Sequence, residues 1–212
     1  MDDRYHFEKK LWGEGFERVM GLDEVGRGCL CGPVVAAGVI LKPNSRLNPD
    51  ITDSKKLTGR RREELVEEIK SEALYWVIKE CSPTEIDRLN ILNASIQAMV
   101  KCSEEPGADP DYLLIDGNRF TTHLVPHSCI VKGDDRSVSI SAASIIAKVH
   151  RDRYMMNLHN KYPFYGWDRN VGYPTKKHFD GLSTHGYTSH HRKSFKLRTE
   201  KIYSEERSDP RN

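Results

Sequence analysis

The stretch Gly21-Leu22-Asp23-Glu24-Val25-Gly26-Arg27-Gly28-Cys29-Leu30-Cys31-Gly32-Pro33 carries an apolar segment (Val19, Met20, Leu22) into two adjacent carboxylates and a glycine-arginine-glycine turn. Acids at a strand end suit hard divalent cations, which prefer oxygen ligands. Glycines beside them let backbone N–H groups approach a ligand, and Arg27 adds a planar fork matched to phosphate. Metal ligands next to a polyanion cradle point toward phosphodiester chemistry.

Outward from this stretch, apolar patterning alternates between strands and helices. Residues 5–16 read as an amphipathic helix and 18–24 as a first strand. The β-branched run 33–41 reads as a buried strand forming a hairpin with it. Thr58 caps a charged helix to about Ala73, a third strand covers 74–81, and Pro83 opens a short helix. A better helix spans 90–102, and strands follow at 112–116 and 128–131. A long helix covers 137–161, a loop 163–173, and a last helix runs from Pro174 to about His185. The expectation is an α/β fold: a mixed sheet of five strands flanked by helices, with a C-terminal helical part. One domain spans 1–198, and a charged, disordered tail spans 199–212.

Composition sets bounds. The 212 residues hold enough chain for a core without disulfides, and hydrophobic residues at 37% with charged residues at 30% read as a soluble protein. No apolar run approaches a membrane span and the start is unlike a signal peptide, so the cytoplasm is expected. Five scattered cysteines argue against a secreted scaffold, and the Cys29–Cys31 pair lacks the second pair of a zinc site; small buried thiols are expected. A formal charge of +2 says little. Local basic runs say more: Arg60-Arg61-Arg62 and His190 to Arg198 read as basic surface.

Acids recur at strand ends: Asp23-Glu24, Ile115-Asp116-Gly117 and Lys132-Gly133-Asp134. Taken singly, the last two read as turn caps. Gathered together, each like-charged pair at 4 Å would cost roughly 4 kcal/mol at an effective dielectric of 20. Such a cluster must raise pKa values or recruit cations, and two ions about 4 Å apart would clamp both oxygens of a phosphodiester displacement. Asp23 and Glu24 should point to opposite faces of a strand, so a turn or bulge between them is expected.

These motifs resemble ribonuclease HII, the type 2 ribonuclease H family. Residues 21–28 with Gly32-Pro33 are similar to its leading motif, Asp53-Ser54-Lys55-Lys56-Leu57 to its second, and Ile115-Asp116-Gly117 to its third. Lys132-Gly133-Asp134 followed by 142–152, then Gly172-Tyr173-Pro174-Thr175 and His191-Arg192-Lys193-Ser194-Phe195, resemble the later ones. The resemblance implies a ribonuclease H-like fold and a metal-binding catalytic set of Asp23, Glu24, Asp116 and Asp134 holding two Mn²⁺ or Mg²⁺ ions. It implies endonucleolytic cleavage 5′ of ribonucleotides in RNA–DNA hybrids, and of single ribonucleotides in duplex DNA, leaving 3′-hydroxyl and 5′-phosphate ends. Ribonucleotide removal and RNA primer degradation follow, and a monomer would suffice for them.

Backbone groups of Gly26, Arg27 and Gly28 suit a ribose 2′-hydroxyl, which both donates and accepts hydrogen bonds. Tyr173 is similar to the family tyrosine that packs on the adjacent sugar; by itself it reads as an ordinary half-buried tyrosine. Ser141, Ser144, Lys148 and Arg151 recur at helical spacing as a polar stripe, either phosphate-facing or solvated. Lys55 and Lys56 are phosphate-contact candidates. Cys29 and Cys31 depart from the family pattern, and the tail shows no clear clamp-binding motif. Two alternatives remain. Ribonuclease HIII is disfavoured by Arg27, by Asp134 and by only about twenty residues before Asp23. A non-catalytic hybrid-binding module is disfavoured because no acid is missing.

Overall fold

A computed structural model of the chain describes residues 4–52, 54 and 57–195. Lys55, Lys56 and the expected tail at 199–212 lie outside the described residues. The elements run α1 (His6–Gly13), β1 (Val19–Val25), β2 (Val34–Leu41), α2 (Gly59–Glu72), β3 (Ala73–Cys81), α3 (Pro83–Leu89), α4 (Ile91–Ser103) and β4 (Tyr112–Asp116). They continue through β5 (His127–Ile130), α5 (Gly133–Arg136), α6 (Val138–Lys161), α7 (Trp167–Asn170) and α8 (Lys176–His185). The five strands form one mixed sheet in the order β3-β2-β1-β4-β5. β1 pairs antiparallel with β2 and parallel with β4, so the hairpin and the α/β crossover meet at β1.

Alternation along β2 shows how the layers arise. Val35, Ala37, Val39 and Leu41 face a core shared with Leu65 and Ile69 of α2 and with Ala142, Ala143 and Ile146 of α6. Val34, Ala36 and Ile40 face the opposite core, packed on Ala94, Ala98 and Met99 of α4. Buried on both faces, β2 needs the unbroken apolar run that the sequence supplies. Thr58 caps α2 by accepting from Arg61 N, and Ser82 with Glu85 forms a reciprocal capping box on α3.

α6 passes very close to β1. A Cβ placed on Gly21 would sit 2.3 Å from the carbonyl carbon of Ser139, so this strand position admits no side chain. The N-terminus of α6 is tied down by buried Glu8, whose Oε1 accepts from Ser139 N at 3.0 Å and Ser139 Oγ at 2.6 Å. A carboxylate there also complements the positive end of the helix dipole. α5 and α7 are short turns of helix that the sequence pattern did not reveal; α7 sits inside the segment expected to be a loop.

Beyond α6, Met155, Leu158, Tyr165, Trp167, Phe179 and Leu182 close around Leu30 and Cys31 as a third core. The C-terminal helical part thus packs on the loop following the Gly26–Gly28 turn. Two expectations fail here. Arg151 is fully buried, donating to the carbonyls of Pro33, Val171 and Cys31. His191 and Arg192 are also buried and so add nothing to the expected basic surface, of which Lys193 is exposed and Lys196 and Arg198 lie outside the described residues. Cys29, Cys31, Cys81 and Cys102 are buried free thiols as expected, but Cys129 is exposed.

Gly21→Ala should cost about 3 kcal/mol of stability, because the added methyl meets helix backbone rather than a movable side chain. Chemical denaturation checks this; an unchanged midpoint would contradict the close approach.

Candidate active site

β1 and β4 end side by side, with Leu22 paired to Ile115, so Asp23 and Asp116 follow as the next residues of two parallel strands. No bulge separates Asp23 from Glu24. The register with β2 runs unbroken through Asp23–Ala37 and Glu24–Ala36. The two side chains do leave on opposite faces: Asp23 faces Ser144 of α6, while Glu24 borders a cavity lined by Leu92, Ser95, Ile96 and Met99 of α4. They serve one site because the sheet stops there, and Asp116 lines the cavities on both faces. The turn comes after the acids: Gly26 has φ +95°, which favours glycine.

A cavity of about 450 Å³ is lined by Asp23, Glu24, Gly26, Arg27, Gly28, Ser54, Arg62, Asp116, Ser144, Lys148 and Tyr173. Burial raises the Asp23 carboxyl well above the ordinary aspartate range, and the charges of Glu24 and Asp116 add to this against the Ser144 hydrogen bond. Burial likewise raises Glu24 to about 7, with Asp116 adding and Arg27 opposing. Each acid has a local partner. Asp23 accepts from Glu24 N at 2.8 Å, Glu24 pairs with Arg27 at 3.2 Å, and Asp116 Oδ1 accepts from Gly133 N at 2.6 Å.

Among the described residues no three acids, histidines or cysteines enclose an ion-sized space as the side chains now stand. The donor set nevertheless fits a hard divalent cation: carboxylate oxygens, largely buried and mutually repelling. Asp134 borders neither cavity. It follows Gly133 at the start of α5, one residue from the amide that holds Asp116, and its carbonyl accepts from Ser141 Oγ at 2.6 Å.

The helical stripe divides. Ser144 and Lys148 face the cavity, with Lys148 held by Asp152 at 2.6 Å and Ser144 3.0 Å from Ser54 Oγ. Ser141 and Arg151 do not. Ser141 is fully buried, accepts from Arg4 Nη2 at 2.6 Å and has its own proton among the carbonyls of Ser137 and Asp134. It supports α5 and is no phosphate contact. Sequence reasoning missed Ser54 and Arg62. Arg62 Nη1 donates to the carbonyls of Ser54 and Leu57 and so ties these two residues beside the cavity. Arg62 was visible only as one of three consecutive arginines; its neighbours Arg60 and Arg61 instead pair with Glu64 and Asp50.

Arg192 governs the glycine turn. Its guanidinium donates to the carbonyls of Gly26 at 2.7 Å, Arg27 at 3.0 Å, Gly32 at 2.9 Å and Pro33 at 3.1 Å. A strap of chain therefore reaches back from the C-terminal part to hold the turn, and Tyr173 stands over Gly28, 3.3 Å from where a Cβ would lie.

The profile of the ribonuclease HII family matches residues 20–198. The chain belongs to the ribonuclease HII family. A ribonuclease HII of Salinibacter ruber is 50% identical over 194 residues, covering 90% of this chain and 96% of that protein. One of Bacteroides thetaiotaomicron is 51% identical over 178 residues, covering 84% of this chain and 88% of that protein. Among solved structures, the PCNA:RNase HII complex of Archaeoglobus fulgidus has a chain that superposes with a TM-score of 0.72 at 28% identity, covering 85% of this chain and 96% of that one. The five-stranded mixed sheet with flanking helices is the ribonuclease H-like fold. Membership makes the chain a ribonuclease H, an endonuclease that hydrolyses RNA in hybrids with DNA. No helix among the described residues is long and apolar enough to cross a membrane.

Raised carboxyl pKa values have a measurable sign. Between the ordinary glutamate value of 4.5 and about 7, folded Glu24 keeps a proton that the unfolded chain has released. Its contribution to stability is full below 4.5 and lost as pH rises through 7. In EDTA, the melting temperature should therefore fall between pH 5 and pH 8, and Glu24→Gln should flatten the decline. Thermal unfolding across that range checks it; equal slopes would contradict the assignment.

Proposed function

We propose that this chain cleaves the phosphodiester 5′ of ribonucleotides, both in RNA–DNA hybrids and at single ribonucleotides within duplex DNA, leaving 3′-hydroxyl and 5′-phosphate ends. The observation that carries the reading is one cavity shared by Asp23, Glu24, Asp116, the Gly26–Gly28 turn, Lys148 and Tyr173. Asp23, Glu24, Asp116 and, from the start of α5, Asp134 would hold two Mn²⁺ or Mg²⁺ ions. Bound there, the ions supply charge stabilisation for the attacking water and leaving oxygen.

The chain's own groups account for positioning and selection. Backbone groups of Gly26, Arg27 and Gly28, locked from behind by Arg192, meet the 2′-hydroxyl where a side chain would block the approach. Tyr173, 42% exposed on the opposite wall, packs on the neighbouring sugar. Lys148, Ser144 and Arg62 receive phosphates along one side, with Lys55 and Lys56 assigned the same role from the sequence alone. Such an enzyme serves ribonucleotide removal and RNA primer degradation in the cytoplasm, and one copy of the chain contains the full set of groups.

Purified protein incubated with duplex DNA carrying one ribonucleotide should cut 5′ of it with Mn²⁺ or Mg²⁺ and not with EDTA. Asp116→Asn should abolish cleavage yet keep hybrid binding within about tenfold, since affinity rests on phosphate contacts; near-normal cleavage would remove Asp116 from the catalytic set. Gly28→Ala, pressing a methyl toward Tyr173, should lower the preference for a ribose over a deoxyribose at the cleavage position. An unaltered preference, measured with paired substrates, would refute the turn's role.

A further inference from the structure

Behind Tyr173 lies a buried chain of polar rings that takes no part in the site described above. His178 and His191 are 0% and 2% exposed, and their Nε2 atoms lie 3.1 Å apart. His178 Nδ1 is 3.0 Å from the carbonyl oxygen of Tyr173, and Trp167 Nε1 is 3.2 Å from His178 Nε2. His191 Nδ1 is 3.0 Å from Thr188 N.

These partners leave one arrangement of protons. A carbonyl only accepts, so His178 must carry its proton on Nδ1. Tryptophan N–H only donates, so His178 Nε2 must offer a lone pair. The Thr188 amide likewise donates, which puts the lone pair of His191 on Nδ1 and its proton on Nε2, aimed at His178. Both rings are therefore neutral, in opposite tautomers, and the series ends on the backbone of Tyr173. Burial holds both below the ordinary histidine value, in keeping with neutral rings.

We infer that His178 is a positioning residue for Tyr173: the Nδ1–H tautomer imposed by Trp167 and His191 fixes the carbonyl of Tyr173, and through it the angle at which the ring meets the substrate. The backbone there needs such a tie. Val171 and Gly172 both have positive φ, and the Tyr173 carbonyl also accepts from the Thr175 amide at 2.9 Å. The Tyr173 ring is exposed and hydrogen-bonds the Cys29 thiol, so the His178 tie acts on the backbone from which that ring projects. The inference rests on the reading of Tyr173 as the wall of the substrate cavity.

Two substitutions separate positioning from mere support. Asparagine can reproduce the donor at Nδ1 but not the link at Nε2; glutamine reaches Nε2 but leaves the Tyr173 carbonyl unmet. His178→Asn should cleave the single-ribonucleotide duplex within about twofold of the unmodified protein, and His178→Gln about tenfold more slowly. Tyr173→Ala should slow cleavage at least as much, and the double variant Tyr173→Ala with His178→Gln should lose nothing further. A support role would make the asparagine and glutamine variants equally poor, which overturns the inference. If Tyr173→Ala slows cleavage while His178→Gln does not, the inference falls and the reading of Tyr173 stands. If Tyr173→Ala leaves the rate unchanged, the reading of Tyr173 falls and takes this role with it. Independently of any variant, ¹⁵N-edited spectra of the histidine rings at pH 7 should show His178 protonated on Nδ1 and His191 on Nε2; the opposite tautomer at His178 would overturn the assignment.

Discussion

Mutual repulsion among carboxylates withdrawn from water is the constraint around which this molecule is arranged. Asp23, Glu24 and Asp116 reach one cavity because two parallel strands end in register, and the charge of Asp116 raises the proton affinity of both Asp23 and Glu24. The fold tolerates them by giving each a local donor: an adjacent amide, an arginine three residues on, and the amide of Gly133. None of these is a fully buried counter-charge. Arg27 is 51% exposed, and the other two donors are neutral amides. The site is thus under-neutralised, and that residual demand for positive charge is what a divalent cation answers.

Keeping such a cluster assembled requires a frame that does not yield. α6 supplies it by lying against Gly21, two residues before Asp23, where any side chain would force helix and strand apart. Its N-terminus is pinned by Glu8, and Arg4 reaches Ser141, whose hydroxyl lies between the carbonyls of Ser137 and Asp134. The first helix of the chain is consequently part of the frame of the candidate site even though none of its residues lines the cavity.

The strands, the long helix and the Asp-Glu pair were legible because each leaves a periodic or adjacent trace in the sequence. The run 34–41 has the apolar, β-branched character of a strand buried on both faces, and it is one. What stayed hidden was polar burial. Arg151, His191 and Arg192 look like surface chemistry in a linear sequence, yet all three are interior. Their partners are main-chain carbonyls and ring nitrogens contributed from up to 166 residues away, and no periodicity encodes such pairs. The expected bulge between Asp23 and Glu24 was unnecessary for a related reason. Period-two alternation says that neighbours diverge, but not that the sheet itself ends beside them and exposes both faces to one opening.

Those interior arginines explain how a turn made of glycines would be selective in the proposed reaction. Gly26 and Gly28 have no side chains to lock them, and an unrestrained turn would adapt to a ribose or a deoxyribose alike. Arg192 removes that freedom. It occupies the carbonyls of Gly26 and Arg27, which fixes the peptide planes whose N–H groups belong to Arg27 and Gly28. Burial lowers the Arg192 guanidinium to about 10, still charged at neutral pH, and its hydrogen bonds go to four main-chain carbonyls while the charge of Asp87 acts on it from further off. Arg151 does the same for the carbonyls of Cys31, Pro33 and Val171, joining the turn to the segment that presents Tyr173. A charged group without a counter-ion costs stability unless every donor is satisfied. Here that cost is offset mainly by backbone oxygens, with the Phe195 ring and the Asp87 charge adding at Arg192, so the arginines hold their position only while the loop keeps its shape. A main-chain surface fixed for recognition and the burial of two arginines are, in this fold, two consequences of one rigid loop.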